Sequence, residues 1–351
     1  MALIELAADA VRCLRDVELQ LSPSANFVFG DNGAGKTSLL EAIYLLGRGR
    51  SFRTRLAKAL RRHDAERLWV HGRNDRTPPD RGGIELDRRE GTRARLNGAV
   101  VQSLAELATA FPVQVIDPDI HKWVEEGASR RRRWFDWGVF HVEPQFLSDW
   151  SRYTRAVRQR NSALRAGGDP IPWEHEIAER GEALSAHRSR FFDWLEPVFR
   201  SLEAELVGLG LELRYYRGWP AQEELAMVLA KNRQRDRSVQ ITSVGAHRAD
   251  LQLRLSGRPA REVLSRGQQK LAAIALTLAQ LEVLKQQIGL KPTLLLDDPA
   301  AELDASRLAV FFERIQSFDT QLIVTSLTSR WPGLSPPDVV FHVERGRVIR
   351  L

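Results

Sequence analysis

The sequence predicts an α/β fold interrupted by an inserted helical arm, and three observations carry this. A Gly-rich turn at 30–37 lies between a short apolar strand and a helix. From about residue 144 an aromatic, heptad-like helical pattern replaces the α/β texture. After about residue 240, short apolar runs suited to buried parallel strands return, at Thr293–Leu296 and Gln321–Thr325.

In chain order, Leu14, Val17, Leu19 and Leu21 alternate with charged neighbours, the pattern of a half-buried strand. Asn26 to Phe29 reads as a buried strand entering the Gly-rich turn. Thr37–Gly47 carries Leu39, Leu40, Ile43 and Leu46 at helical spacing, with Gly47 as its stop. Trp69–His71 and Ile84–Leu86 are candidate antiparallel strands, and Asn97-Gly98 is a hairpin turn signal. The polar stretch Asn74–Gly83, with two prolines, reads as a loose loop. Phe146, Trp150, Tyr153, Val157 and Leu164 form one apolar stripe. Trp173, Ile177, Leu184, Phe191 and Leu195 form a second, beyond the break at Ala166–Pro170. Together they predict an antiparallel helical hairpin. Short helices follow near Leu202–Leu209 and Glu223–Lys231, then a strand through Leu251, Leu253 and Leu255, and a helix over Gln269–Gln287. The predicted organisation is a first lobe at 1–125, an arm at 126–240 and a second lobe at 241–351.

Composition narrows the class. Of 351 residues, 43% are hydrophobic, which supports a sizeable core and argues against wholesale disorder. One cysteine, Cys13, excludes an internal disulfide framework, suits a reducing cytoplasm and reads as a small buried residue. The first residues lack the basic start and apolar run of a signal peptide, and no run of 18 apolar residues suggests a membrane span. The net charge of +7 favours a polyanionic partner. Most of it lies in 128–165, where nine arginines face three acids.

The chemistry is concentrated in short motifs. Gly30-Asp31-Asn32-Gly33-Ala34-Gly35-Lys36-Thr37 fits the phosphate-loop pattern G-x-x-x-x-G-K-[ST], with Ser38 following in the first helical turn. Its glycines let backbone N–H groups wrap a polyphosphate, Lys36 can reach the terminal phosphates of ATP, and Thr37 can ligate Mg²⁺. Leu294-Leu295-Leu296-Asp297-Asp298 is an apolar strand ending in two carboxylates. Asp297 is expected to hold Mg²⁺, usually through water, and Asp298 to polarise an attacking water.

Leu264-Ser265-Arg266-Gly267-Gln268-Gln269-Lys270 resembles the signature of ABC ATPases, with Arg266 in place of its first glycine. The resemblance implies an ABC-type P-loop ATPase head with an inserted, short antiparallel coiled-coil-like arm. It also implies head-to-tail dimerisation, Ser265, Gly267 and Gln268 of one copy closing over ATP held by the other. Ala301-Glu302-Leu303-Asp304 resembles the D-loop of such dimers. Gln114, ahead of Val115–Pro118, is either their Q-loop glutamine or a plain strand residue.

Within that class the chain resembles the RecF family. The matching stretches are Gly49–Thr54, Arg131–His141, Gln159–Asn161 with Ala163–Arg165, Ala246–Leu251 and Leu264–Lys270. The resemblance implies an ATP-dependent homodimer on gapped DNA or single-strand/double-strand junctions. It implies RecO- and RecR-like partners, loading of the RecA recombinase, and a weak, DNA-stimulated ATPase. The sequence departs from the transporter pattern at Asp298, where a glutamate is usual, and at Ala301, where a serine is expected. No histidine follows the last apolar strand, so a hydroxyl, Thr325 or Ser326, must serve as the switch or the function is missing. Arg130, Arg131, Arg132, Arg133, Arg152 and Arg155 are the candidate DNA phosphate contacts. Arg50, Arg53, Lys58, Arg61 and Arg62 form a second basic cluster, to contact nucleotide or to pair internally.

Overall fold

The structure, a computed structural model, describes residues 1–54, 56–299, 305–329 and 336–351. It divides into two compact units, one of Met1–Ile120 with Gly289–Leu351 and one of His121–Ile288.

The first unit holds two six-stranded sheets. One runs in the order Arg347–Arg350, Val339–Glu344, Ala25–Phe29, Leu322–Ser326, Thr293–Leu296, Val113–Ile116. All its strands are parallel except the Arg347–Arg350 edge. Such strands are covered on both faces, which explains the unbroken apolar runs that mark them. The other sheet is antiparallel, in the order Val17–Gln20, Leu3–Asp9, Arg67–Asn74, Arg81–Asp87, Gly91–Leu96, Ala99–Val100. Its last hairpin turns at Asn97-Gly98, both with positive φ (51° and 86°), as a two-residue hairpin turn requires. Strand Leu3–Asp9 has a weak period-2 signal because its register shifts between Leu3 and Glu5.

Helix Lys36–Arg48 packs against strands of both sheets, so it is buried almost all round. Leu39, Leu40, Ile43 and Leu46 are each no more than 3% exposed. Gly47 is not the stop expected of it. The helix runs past it to Gly49, which ends it in the left-handed region (φ 64°). Gly47 instead permits close packing, since a Cβ there would lie 2.2 Å from the carbonyl oxygen of Phe111. Nor is 74–83 a loose loop. Buried Asn74 accepts the N–H groups of Arg76 and Asp80 (3.2 and 2.8 Å) and donates to Ala110 O (2.9 Å).

The second unit contains the predicted hairpin, helices Phe146–Arg165 and Glu174–Leu206. Ile177, Leu184, Phe191 and Leu195 are fully buried, whereas Trp150 is 41% exposed. The second helix continues through Pro197 to Leu206, so no separate helix starts at Leu202. Helix Leu225–Val239 follows. The division differs from the lobe boundaries expected at 125 and 240. Residues 241–288 fall in the unit that contains the hairpin, for a packing reason. Helix Arg266–Ile288 lies along Glu174–Leu206, and strand Asp250–Leu255 pairs with Glu212–Tyr216, five residues beyond that helix. Sequence texture registers the return of strands but not the partners they choose.

Candidate nucleotide site

The Gly-rich turn leaves strand Ala25–Phe29 and enters helix Lys36–Arg48. Gly35 is the N-cap residue with φ 122°, a conformation that side chains rarely adopt. At Gly30 a Cβ would lie 2.3 Å from the carbonyl oxygen of Val343. Asp31, Asn32 and Gly33 are exposed, while Ala34, Gly35, Lys36 and Ser38 are buried and Thr37 is half-buried. The Lys36 ammonium donates to the carbonyls of Gly30 (2.6 Å) and Asp31 (3.0 Å), folding over the loop that the motif assigns to phosphates. Burial lowers its proton affinity, against the raising effect of Asp298, Asp297 and Asp31. The turn therefore offers backbone N–H groups, a helix N-terminus and one desolvated cation, a set suited to polyphosphate.

Across the sheet, Asp297 follows strand Thr293–Leu296, and its N–H donates to Ile116 O (3.0 Å). One oxygen of its carboxylate, Oδ1, accepts from Thr37 Oγ1 (3.0 Å) and Thr325 Oγ1 (2.9 Å). Burial holds its proton affinity above the ordinary carboxylate range, although both hydroxyls and the charge of Arg53 oppose this. A buried carboxylate beside a threonine hydroxyl is a hard-oxygen donor set that fits Mg²⁺ completed by phosphate oxygens and water. Asp298 is partly exposed and held at φ 48°. Its charge reaches Lys36, so both carboxylates and the ammonium share one neighbourhood.

Thr325 lies beneath these acids. Its hydroxyl accepts the N–H of Asp298 (3.0 Å) and also lies 3.3 Å from Leu296 O. It is fully buried and committed, so it does not present a free hydroxyl in place of a switch histidine. Ser326 Oγ accepts from Thr328 N (3.3 Å). Gln114 lies in the edge strand Val113–Ile116. The strand register sets it level with Leu294, three residues short of Asp297, or about 10 Å along the strand. Gln114 is buried at that level.

Sequence reasoning missed the support behind the loop. Glu41 is fully buried on the phosphate-loop helix and accepts two hydrogen bonds from Arg12 (2.9 and 3.1 Å) and one from Ser51. Ser51 Oγ in turn accepts the N–H groups of Arg53 and Thr54 (2.9 and 3.0 Å). This pins segment 51–54 to the helix. The available signal was a lone carboxylate inside Leu39–Leu46. Arg62, from the second basic cluster, pairs with Asp9 and Asp64. Cys13 is partly exposed rather than buried, its Sγ 3.5 Å from Ser38 Oγ.

The signature lies in the other unit. Ser265 and Gln268 form a reciprocal cap on helix Arg266–Ile288. Ser265 N donates to Gln268 Oε1 (2.9 Å), and Gln268 N approaches Ser265 Oγ (3.4 Å). Ser265, Arg266 and Gly267 are exposed. Nothing would lie within 4 Å of a Cβ at Gly267, so the chain's own packing does not require glycine there. The D-loop-like stretch Ala301–Asp304 lies outside the described residues.

The arginines expected to meet DNA are largely occupied. Arg131 makes a bidentate pair with Asp250 (2.8 and 3.0 Å), and Arg132 donates to Ala249 O (2.6 Å). Arg130 pairs with Glu126 (3.0 Å), Arg133 donates to Ser129 O (3.2 Å), and Arg152 makes a bidentate pair with Glu176 (2.6 and 3.1 Å). Arg160, fully buried, bonds Asp236 (2.7 Å), Thr242 (2.9 Å) and Glu174 (3.0 Å). The acids among these partners, Glu126, Glu174, Glu176, Asp236 and Asp250, lie outside 128–165, so a count confined to that segment omits them. Arg155, Arg158 and Arg165 are exposed and make no ion pair among the described residues. With Ser151 and Ser162 they occupy about 80° of one helix face over about 20 Å, with no acid among them.

Comparison with known proteins agrees with this geometry. The RecF/RecN/SMC N terminal domain family matches residues 2–342. The chain is 39% identical to the DNA replication and repair protein RecF of Stutzerimonas stutzeri, over 100% of this chain and 98% of that protein. It is 42% identical to the RecF of Thioalkalivibrio sulfidiphilus, over 99% of this chain and 98% of that one. A solved structure of the recombination mediator protein RecF with ATP, in the RecFOR pathway, superposes with a TM-score of 0.91. It is 27% identical and covers 100% of this chain and 97% of that chain. The chain therefore belongs to the RecF family of DNA replication and repair proteins, with an SMC/RecF-type ATPase fold.

Proposed function

We propose that this chain is an ATP-dependent recombination and repair mediator. It dimerises on ATP, binds gapped DNA or single-strand/double-strand junctions, and works with RecO- and RecR-like proteins to load the RecA recombinase. The observation that carries the nucleotide half is the convergence of Lys36, Thr37, Asp297 and Asp298 at the ends of parallel strands, a common place for phosphate ligands. On this reading the loop N–H groups and Lys36 hold the phosphates. Thr37 and Asp297 hold Mg²⁺, which would neutralise charge developing on the phosphoryl group. Asp298 polarises the attacking water. The dispensability of glycine at 267 within its own chain supports a trans role, because a bare helix N-terminus lets a partner's phosphate approach closely. Ser265, Gly267 and Gln268 of one copy then close over the nucleotide of the other. For DNA, the exposed face of Arg155, Arg158 and Arg165 supports phosphate contacts better than the paired Arg131 and Arg132.

Single-turnover hydrolysis with and without gapped DNA tests this reading. Slow turnover that DNA accelerates and Asp298→Asn lowers by roughly 100-fold is expected, as for other positioned carboxylates. Equal and negligible rates in native protein and variant would favour ATP-driven dimerisation without catalysis.

A further inference from the structure

We infer that Thr325 is the positioning residue that locks the two carboxylates of the nucleotide site into one unit, so that Mg²⁺ capture and the aim of Asp298 depend on a single buried hydroxyl. This rests on the nucleotide reading above. The bonding follows from proton counting. Thr325 Oγ1 accepts from the N–H of Asp298 at 3.0 Å and has one proton to donate. Its two candidate acceptors are Asp297 Oδ1 at 2.9 Å and Leu296 O at 3.3 Å, and the shorter contact to a carboxylate takes the proton. One hydroxyl thus ties the side chain of Asp297 to the backbone of Asp298.

Each tie sets a direction. On Asp297, Oδ1 receives both Thr325 and Thr37, which fixes the plane of the carboxylate and leaves Oδ2 without either hydroxyl. On Asp298, capture of the N–H holds the backbone at φ 48°, a conformation uncommon for a residue with a side chain. That turn aims the Asp298 side chain. Thr325 holds this place because strand Leu322–Ser326 lies between Ala25–Phe29 and Thr293–Leu296, with Val324 level with Leu296. It is fully buried and so meets neither nucleotide nor solvent.

The test compares side chains that differ only by a hydroxyl, in the full-length protein. Thr325→Val keeps the shape, and Thr325→Ser and Thr325→Ala form a second matched pair. The readout is the Mg²⁺ concentration that half-saturates binding of a fluorescent ATP analogue, with folding checked by circular dichroism. Outer partners of metal ligands typically change metal affinity by about 10–100-fold. That rise in the Mg²⁺ midpoint is expected for Val and Ala, while Ser stays within about twofold of native, with single-turnover hydrolysis falling in the same order. Native midpoints in Val and Ala, or a Ser variant as impaired as Ala, would overturn the assignment. If native protein shows no Mg²⁺-dependent binding and Lys36→Met behaves identically, the nucleotide reading itself fails, and this proposal with it.

Discussion

The two units of this molecule use charge in opposite ways. In the unit holding the phosphate loop, Lys36, Asp297 and Asp298 crowd into one site where burial works against the charges of Lys36 and Asp297. In the hairpin-containing unit, arginines and acids cancel in close pairs: Arg131 with Asp250, Arg188 with Asp136, Arg160 with Asp236 and Glu174. The first arrangement leaves interactions for a ligand to complete. The second is already complete and holds helices together. A high local density of arginine in sequence therefore marks a structural network as readily as a nucleic-acid surface.

The sharpest way to break this contrast is to remove one member from each unit. Arg160→Ala leaves the carboxylates of Asp236 and Glu174 buried beside an empty space. Breaking such a buried pair costs about 3–5 kcal/mol, so the urea midpoint should fall steeply; a loss below about 1 kcal/mol would show that the network is not structural. Lys36→Met should do the reverse. Losing charged hydrogen bonds of about 1.5–3 kcal/mol each should weaken ATP binding by roughly 100-fold or more in a fluorescence titration. Its urea midpoint should stay level or rise, because a desolvated charge is gone. A Lys36→Met variant that unfolds early would place that lysine among structural charges instead.

A smaller effect separates paired from unpaired arginines. Replacing Arg155, Arg158 and Arg165 together with Gln should reduce the slope of log affinity for DNA against log salt by about 2–3, near 0.7–0.9 per lost phosphate contact. Arg131→Gln should leave the slope unchanged and lower stability. The opposite pattern would return the DNA surface to Arg131.

A fourth contrast is a pH dependence. His247 Nε2 donates to Thr242 O (2.9 Å), and its Nδ1 lies 2.7 Å from Tyr153 OH. Burial pushes its pKa down to about 4. The unfolded chain binds that proton first, so the stabilisation is full above about pH 6.5 and is lost as pH falls from there towards 4. His247→Gln should flatten that part of the stability profile, and an unchanged profile would mean other groups govern it.

These contrasts explain what the sequence made legible. Gly30–Thr37, Leu294–Asp298 and Leu264–Lys270 are contiguous, and their chemistry is set by neighbours in the chain. Thr325 acts through Asp297 and Asp298, 28 and 27 residues away, and Arg12 through Glu41, 29 residues away, so spacing carries no trace of them. The same non-locality hid the acids that neutralise Arg131 and Arg160. Parallel strands were legible as apolar runs because both of their faces are covered. Gln114 admitted two readings because strand register, which sets how near a strand residue comes to the site, is not written in local spacing.

The central claim is that ATP completes the charge of the first unit by joining two copies of the chain. Analytical ultracentrifugation of native protein with ADP, ATP and a slowly hydrolysed ATP analogue, with and without gapped DNA, tests it most directly. The account predicts a dimer with ATP or its analogue, monomer with ADP, and monomer throughout for Lys36→Met. Native protein that remains monomeric under every condition would contradict it.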